Sequence, residues 1–246
     1  MQQRPHGEHD NPPAVITRPE PGIAVLTLDR PASRNALSLG MMAALQVAID
    51  LLGDDADVAA IVLAANGPAF CAGHDLKEMR ADPSHAYYQN LFAQCSDVMM
   101  AIAKTPVPVI ARVHGVATAA GCQLVAACDL AIAAETARFA VSGVNLGLFC
   151  STPAVALSRN ISAKRAFDML VTGRFINAAT AKDWGLINDT APEAELDAAV
   201  GALAAQILSK SPAAIRYGKA MFARQRQMPL DEAYALASGV MARNMM

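Results

Sequence analysis

The stretch 113–129, VHGVATAAGCQLVAACD, constrains the fold of this chain more than any other. The apolar run 107–111 before it predicts a buried strand, and the residues from about Cys122 to Cys128 predict an apolar helix. Only a turn and small residues separate the two. The first amides of a helix lack partners within it and attract negative charge. The stretch therefore predicts either close packing of a helix on a sheet or a site for a negatively charged atom.

A second strand-to-helix junction lies about 45 residues earlier. An apolar strand at 59–65 and a turn at 66–68 precede AFCAGHDLKEM at 69–79, which again carries small residues and a glycine. Two junctions of this kind can direct two backbone N–H groups at one oxygen atom, which is the arrangement of an oxyanion hole. The pair therefore favours the binding site over simple packing.

Three segments resemble those of the crotonase, or enoyl-CoA hydratase/isomerase, superfamily. AFCAGHDLKEM resembles the family's AFxAGxDLxEM, and VHGVATAAGCQLVAACDLAIA resembles its xxGxAxGGGxELAxxCDxxIA. RPASRNALS at 30–38 resembles RPxxxNALS, and the order and spacing fit from about Val15 to the C-terminus. The segment GVNLGLFCSTPAVALSR is most similar to the subgroup named enoyl-CoA hydratase domain-containing, type three.

The resemblance implies an α/β fold, a crotonase/ClpP-like spiral of ββα repeats with a C-terminal helical region. Family members form trimers, often dimers of trimers. On this basis the chain divides into a flexible N-terminal tail (1–13), the spiral core (14–190) and a helical oligomerisation region (191–246). The residue pattern itself predicts a strand at 22–29 and a polar linker at 77–85. It predicts helices at 37–52 with Ser38 as N-cap, 86–103, 152–159, 163–172, 179–184, 193–209, 212–225 and 230–243.

The resemblance also assigns the oxyanion hole to the backbone amides of His74 and Ala120. These amides would polarise the thioester carbonyl of an acyl-CoA and stabilise its enolate, at ~3–4 kcal/mol per donor. The side chain of His74 could lie inside or outside this pocket. Asp75 follows directly and has either a catalytic or, more often in the family, a structural role. Glu78 is expected to be solvated, and His114 is expected to pack against backbone.

Both glutamates that a hydratase of this family uses are replaced. Gln123 occupies the first position and Gly143 the second. An amide exchanges no proton near neutral pH, and general acid–base catalysis contributes ~10²–10⁴-fold. Efficient hydration is therefore doubtful, and a double change, Gln123→Glu with Gly143→Glu, is predicted to raise it.

The resemblance further implies contacts with coenzyme A. Arg34 matches a basic position near the phosphates, and the carbonyl of Ala72 matches one that meets the adenine. Lys219 and Phe222 lie where a neighbouring subunit's helix can cover the nucleotide. The full set expected to bind substrate or coenzyme A is Arg34, Ala36, Ala72, His74, Asp75, Leu76, Ala120, Lys219 and Phe222.

Composition excludes several other classes. A net charge of −2 provides no attraction for nucleic acid or an anionic membrane, and no apolar run reaches the ~20 residues of a membrane span. Five cysteines without CxxC spacing predict reduced thiols in a cytoplasmic protein, and no secretory signal is recognisable. No zinc-ligand spacing, dinucleotide motif or P-loop is present, and a hydrolase lacks its GxSxG signature.

Two functions therefore compete. The first is a lyase or isomerase of fatty acid metabolism, acting on an acyl-CoA thioester with no metal and with no cofactor beyond the coenzyme A of its substrate. The second is a non-catalytic acyl-CoA-binding or assembly subunit. Hydration of crotonyl-CoA would support the first, and tight binding without turnover would support the second.

Overall fold

The structure is a computed structural model that describes residues 12–246 of the 246-residue chain. Residues 1–11 of the flexible tail expected at 1–13 lie outside the described residues. Residue 13 is already held to the fold, because its carbonyl accepts a hydrogen bond from the amide of Asp29 at 2.8 Å.

Ten strands and ten α-helices make up the described part of the chain. The strands are β1 (Ala14–Glu20), β2 (Gly22–Leu28), β3 (Val58–Ala65), β4 (Ala69–Cys71), β5 (Val109–Val113), β6 (Val116–Thr118), β7 (Leu130–Ala134), β8 (Arg138–Ala140), β9 (Ile176–Asn177) and β10 (Asp189–Ala191). The helices are α1 (Leu39–Asp54), α2 (Leu76–Ala81), α3 (His85–Lys104), α4 (Ala120–Ala127), α5 (Ser151–Leu157), α6 (Ala163–Thr172), α7 (Ala178–Trp184), α8 (Leu196–Leu208), α9 (Pro212–Gln225) and α10 (Leu230–Asn244).

The strands form two sheets in which most neighbours are parallel. The larger sheet has the order β1-β2-β3-β5-β7-β10, and only β1 and β2 are antiparallel. The smaller sheet has the order β4-β6-β8-β9, and only β8 and β9 are antiparallel. The central strand β3 is apolar along its whole length, VAAIVLAA, as expected for a parallel strand that is covered on both faces.

Consecutive strands alternate between the two sheets. β3 and β4, β5 and β6, and β7 and β8 each place their first strand in the larger sheet and their second in the smaller one. Each pair is followed by a helix, α2, α4 and α5 respectively. This confirms the predicted α/β spiral of ββα repeats. Because β4 and β6 are parallel neighbours, both end at the same edge of the smaller sheet, where α2 and α4 begin.

Most predicted helices and strands lie within two residues of their observed bounds, with two informative differences. The predicted polar linker at 77–85 contains helix α2, because the side chain of Asp75 caps it by accepting hydrogen bonds from the amides of Lys77 and Glu78. Helix α4 begins at Ala120, two residues before the predicted start, because Ala119 already adopts the turning conformation.

The predicted boundary near residue 190 does not separate the core from the following helices. Helix α8 packs on the outer face of the larger sheet, where Leu196, Val200 and Ala204 contact a buried cluster. The sheet contributes Ile23, Val62, Ile110 and Ile132 to that cluster. α8 therefore belongs to the core. Helices α9 and α10 pack mainly on each other, and between them bury one residue, Ala233.

Candidate active site

The junction between β6 and α4 exposes the first amides of the helix. Ala119 has φ 51° and ψ −120°, a conformation that non-glycine residues rarely adopt, and its amide donates to the carbonyl of Ala140 at 2.9 Å. The chain turns there, and α4 starts at Ala120. Since Ala120 is the first residue of the helix, no carbonyl within the helix accepts from its amide.

The junction between β4 and α2 presents a second amide. His74 forms an isolated parallel bridge with Leu37, in which the amide of Leu37 donates to the carbonyl of Gly73 at 2.8 Å. The amide of Asp75 donates back to the carbonyl of Leu37 at 3.4 Å. In a parallel bridge the flanking residues make these bonds, so the amide of His74 is directed away from Leu37.

The two junctions touch each other at Gly73. A Cβ atom placed on Gly73 would lie 2.9 Å from the Cβ of Ala119 and 3.4 Å from the amide nitrogen of Ala120. Gly73 also has φ 91°, in the left-handed region that favours glycine. The amide of His74 follows Gly73 directly, so both predicted oxyanion donors lie at this one contact.

The first glutamate position is filled by a buried amide. Gln123 lies on α4, is 3% exposed, and its Oε1 accepts from the Sγ of Cys95 on α3 at 3.9 Å. The thiol stays protonated and neutral near neutral pH, because burial raises the pKa of Cys95 to about 12. Neither group can exchange protons with a substrate near neutral pH.

The second glutamate position is closed. A Cβ atom on Gly143 would lie 2.6 Å from the carbonyl oxygen of Leu148 and 2.7 Å from the Sγ of Cys150. The amide of Gly143 donates to that same sulfur at 3.3 Å. A side chain at position 143 therefore requires the backbone of Leu148 to move, which argues against a gain in hydration from the Gly143→Glu part of the double change.

Two carboxylates near the site serve the fold. The Oδ1 of Asp75 accepts from the amides of Lys77 at 2.8 Å and Glu78 at 3.2 Å. The Oε2 of Glu78 accepts from the amide of Leu39 at 3.0 Å and so caps the start of α1. Glu78 was expected to be solvated, and this capping contact corrects that expectation. The capping contact of Asp75 matches the structural role that is usual in the family.

The imidazole of His74 is held between two neighbours. Its Nδ1 lies 3.4 Å from the carbonyl oxygen of Leu37, and its ring packs edge-on against Phe92 of α3 with 5.5 Å between centroids. The Nε2 atom is buried and has no hydrogen-bond partner among the described residues. Burial lowers the pKa of His74 below its ordinary value.

Three of the residues expected to bind coenzyme A, Arg34, Ala36 and Ala72, lie beside a buried asparagine that sequence reasoning missed. The amide of Ala72 donates to the carbonyl of Arg34 at 3.1 Å, so these two residues are adjacent. Asn35 is fully buried, and its Nδ2 donates to the carbonyls of Asn66 at 2.8 Å and Ala69 at 2.9 Å. The RPASRNALS motif contains this asparagine, and is the feature of the sequence from which its importance could have been predicted. Ala36 follows in the same loop, and Leu76 begins α2 and is 44% exposed.

Lys219 does not have the surface position that its expected role requires. Its side chain is 8% exposed, and its Nζ donates to Asp129 Oδ2 at 2.6 Å and to the carbonyls of Val107 at 2.9 Å and Ile102 at 3.0 Å. All three ammonium hydrogens are thereby used within the chain. Phe222 is 59% exposed on α9, with the guanidinium of Arg226 over its ring at 5.7 Å.

Two further expectations are confirmed. The Nε2 of His114 contacts the carbonyl of Gly67 at 2.7 Å, so this histidine packs against backbone. The five cysteines are buried and unbridged.

Among the described residues, no single helix has the length and hydropathy to cross a membrane, although α8 and α9, bent by 101°, meet those criteria as a pair.

Comparisons with known proteins agree with this architecture. The model of the enoyl-CoA hydratase/isomerase family matches residues 18–245. Enoyl-CoA hydratase domain-containing protein 3, mitochondrial, of Rattus norvegicus is 45% identical over 98% of this chain and 81% of its own length. The Homo sapiens protein of the same name is 46% identical over 91% of this chain and 74% of its own length.

Solved structures match equally well. An enoyl-CoA hydratase of Mycobacterium smegmatis has a TM-score of 0.95 at 57% identity, covering 96% of this chain and 92% of that one. The human enoyl Coenzyme A hydratase domain-containing protein 3 has a TM-score of 0.91 at 45% identity, covering 95% and 92%. Sequence, family model and fold therefore agree, and the chain belongs to the enoyl-CoA hydratase/isomerase family.

Proposed function

We propose that this protein binds an acyl-CoA thioester and stabilises the enolate of that thioester with the backbone amides of His74 and Ala120. The contact of Gly73 with Ala119 and Ala120 carries this proposal, because it brings the two amides to one edge of the smaller sheet. Donors fixed by the fold need no rearrangement when charge develops on the carbonyl oxygen. The chemistry uses no metal and no cofactor other than the coenzyme A of the substrate.

The reaction class is that of a lyase or isomerase acting on enoyl-CoA. Hydration requires proton transfer as well as polarisation, and Gln123 and Gly143 supply no acid or base. We therefore expect hydration of crotonyl-CoA to be slow. The loop around Arg34, Ala36 and Ala72, together with Leu76, forms the expected surface for coenzyme A.

Removal of one amide tests the oxyanion hole. Ala120→Pro deletes the N–H at the first position of a helix, where proline is best tolerated. Ala163→Pro makes the same change at the exposed first position of α6, where the preceding Ser162 is already extended, so thermal unfolding of both variants is compared first. Loss of about 100-fold in turnover, or in affinity for an enolate-mimicking thioester, is expected for Ala120→Pro alone. Equal behaviour of the two folded variants would contradict the proposed hole.

A non-catalytic acyl-CoA-binding or assembly subunit is the second candidate. The closed position at Gly143 and the buried amide of Gln123 favour it, since both usual proton carriers are absent. Binding of butyryl-CoA with no turnover of enoyl-, dienoyl- and hydroxyacyl-CoA esters would support this function. Turnover of any of these esters by the wild type, lost in Ala120→Pro, would support the enzyme.

Self-association is part of the proposal. Helices α9 and α10 bury almost none of their own apolar side chains, and Tyr217, Phe222, Leu230, Tyr234 and Met241 are all exposed. An apolar surface of this extent is typical of protein–protein contacts. A trimer or a dimer of trimers would cover it, and sedimentation equilibrium tests this.

The rat and human relatives are named mitochondrial, whereas the cytoplasmic location of this chain stays a prediction.

A further inference from the structure

We propose that the imidazole of His74 is the base that removes the α-proton of the bound thioester. This inference rests on the proposed function and assigns a proton acceptor to the same site. It gives one residue two roles, with its amide on the carbonyl oxygen and its side chain on the adjacent carbon.

The contact with Leu37 fixes the tautomer of the ring. A carbonyl oxygen only accepts, so the nitrogen that faces it, Nδ1, carries the proton. In a neutral imidazole the other nitrogen, Nε2, then holds a lone pair. Burial lowers the pKa of His74, which keeps the ring neutral at physiological pH. A neutral Nε2 is the form that a base requires.

The contact with Leu37 involves Nδ1 and leaves Nε2 unused. The two ring nitrogens of an imidazole point in nearly opposite directions, and Nδ1 faces Leu37. The lone pair of Nε2 is therefore directed away from Leu37. The parallel bridge directs the amide of His74 away from Leu37 as well. The contacts with Leu37 therefore use neither the amide nor Nε2 of His74.

The Nε2 atom of His74 is unusual in being buried without a hydrogen-bond partner. Only five buried side-chain nitrogen or oxygen atoms among the described residues lack a hydrogen-bond partner, and Nε2 of His74 is one of them. Such an atom costs free energy unless a partner binds to it. The ring is fixed against Phe92, so it cannot turn to satisfy the atom elsewhere without losing that packing.

Other candidate bases nearby are already engaged. Asp75 and Glu78 accept backbone hydrogen bonds at the starts of α2 and α1. Gln123 has no basic group at neutral pH, and Gly143 has no side chain. Of these side chains, only His74 has a buried acceptor atom without a hydrogen-bond partner among the described residues.

The proposed step is a reversible proton transfer. The bond between the α-carbon and its hydrogen breaks, and its electron pair forms the carbon–carbon double bond of the enolate. The carbonyl π pair moves onto the oxygen, which both amides hold, while the proton moves to Nε2. Reversal restores the thioester, and in heavy water the returning atom is deuterium.

Exchange of the α-protons of butyryl-CoA in heavy water, followed by proton NMR, measures this step directly. Butyryl-CoA has no double bond, so no hydration competes. The variant is His74→Asn, with His74→Gln as a second variant if the first does not fold. The matched control is His114→Asn, because that ring also contacts a backbone carbonyl through one nitrogen and has the other buried without a partner.

We expect both His74 variants to lose about 100-fold in exchange rate, while their affinity for butyryl-CoA stays within about threefold of wild type. His114→Asn should retain the exchange. Exchange that persists in folded His74 variants, or that is absent from a wild type that binds butyryl-CoA, would overturn the assignment of the base. A wild type that does not bind butyryl-CoA at all would instead overturn the proposed function.

Discussion

The Cβ atom of Ala119 fills the space that a side chain on Gly73 would need. A Cβ atom placed on Gly73 would lie 2.9 Å from it, although the two residues are 46 positions apart in the chain. Both residues also have positive φ, 91° at Gly73 and 51° at Ala119. The contact joins the loop after β4 to the loop after β6, and so sets the separation of the amides of His74 and Ala120.

This relationship predicts that substitutions at the two positions are coupled. Gly73→Ala should lower the free energy of unfolding by roughly 1–3 kcal/mol, from the clash and the unfavourable φ. Ala119→Gly removes the opposing Cβ and should recover part of that loss. Urea unfolding of both single variants and the double variant gives the coupling, expected at about 0.5 kcal/mol or more. If the two changes in the free energy of unfolding simply add, the side chains at positions 73 and 119 do not clash.

The two glutamate positions should respond differently to the same change. Gln123→Glu keeps the shape of the side chain and introduces a carboxyl group, so we expect a folded variant with raised hydration of crotonyl-CoA. Gly143→Glu should cost about 1–3 kcal/mol of stability, because the Leu148 carbonyl must move. The double variant should be no faster than Gln123→Glu. A faster double variant, as stable as wild type, would mean that the loop 143–150 opens easily.

Lys219 should matter for stability rather than for coenzyme A. Replacing it with Met removes this donor from two carbonyls and leaves Asp129 Oδ2 with the amide of Val109 alone. We expect a loss of roughly 2–3 kcal/mol, the range for hydrogen bonds to charged groups, and faster hydrogen exchange in α9. Lys164→Met, on the exposed start of α6, is the control. A selective loss of acyl-CoA affinity at unchanged stability would restore the expected nucleotide contact.

The pH dependence of α-proton exchange should report on His74. Burial lowers the pKa of this ring, so protonation inactivates the base only below the ordinary value of about 6.5. Exchange should therefore be constant above that value and fall as the pH drops further. The helices beside it, α2 and α3, also carry Lys77, Glu78, Arg80, His85, Tyr87, Tyr88, Cys95, Asp97 and Lys104, and Asp75 caps α2. His85 is the other imidazole among them, so the profile of His85→Asn is the control. A midpoint above 6.5 would contradict the effect of burial.

Asn35 should be essential to the loop expected to contact coenzyme A. Its side chain donates to two carbonyls, and its Oδ1 accepts from the amide of Arg30 at 2.8 Å. Asn35→Ala leaves buried polar groups unsatisfied, and we expect a loss of about 2–3 kcal/mol with weaker acyl-CoA binding. Asn90→Ala on the exposed face of α3 should change neither thermal unfolding nor binding.

Some parts of the fold and the site could be predicted because their signals are local. Helices α6 and α9 match their predicted bounds of 163–172 and 212–225, since apolar spacing and terminal residues decide where a helix lies. The two junctions were predicted from small residues between a strand and a helix, whereas the resemblance to the family assigned the oxyanion amides to His74 and Ala120. The short strands β4 and β6 carried little periodic signal and were not predicted as such.

The sequence by itself indicated the family and, through the resemblance, predicted the ββα repeat and the replacement of both glutamates, because motifs of residue types in a row carry these signals. Only the tertiary structure decided that Lys219 pairs with Asp129, that position 143 has no room for a side chain, and that α8 covers the larger sheet. These three depend on contacts between segments far apart in the chain. Packing sets such contacts through distance and volume, and no local pattern of residues encodes either quantity.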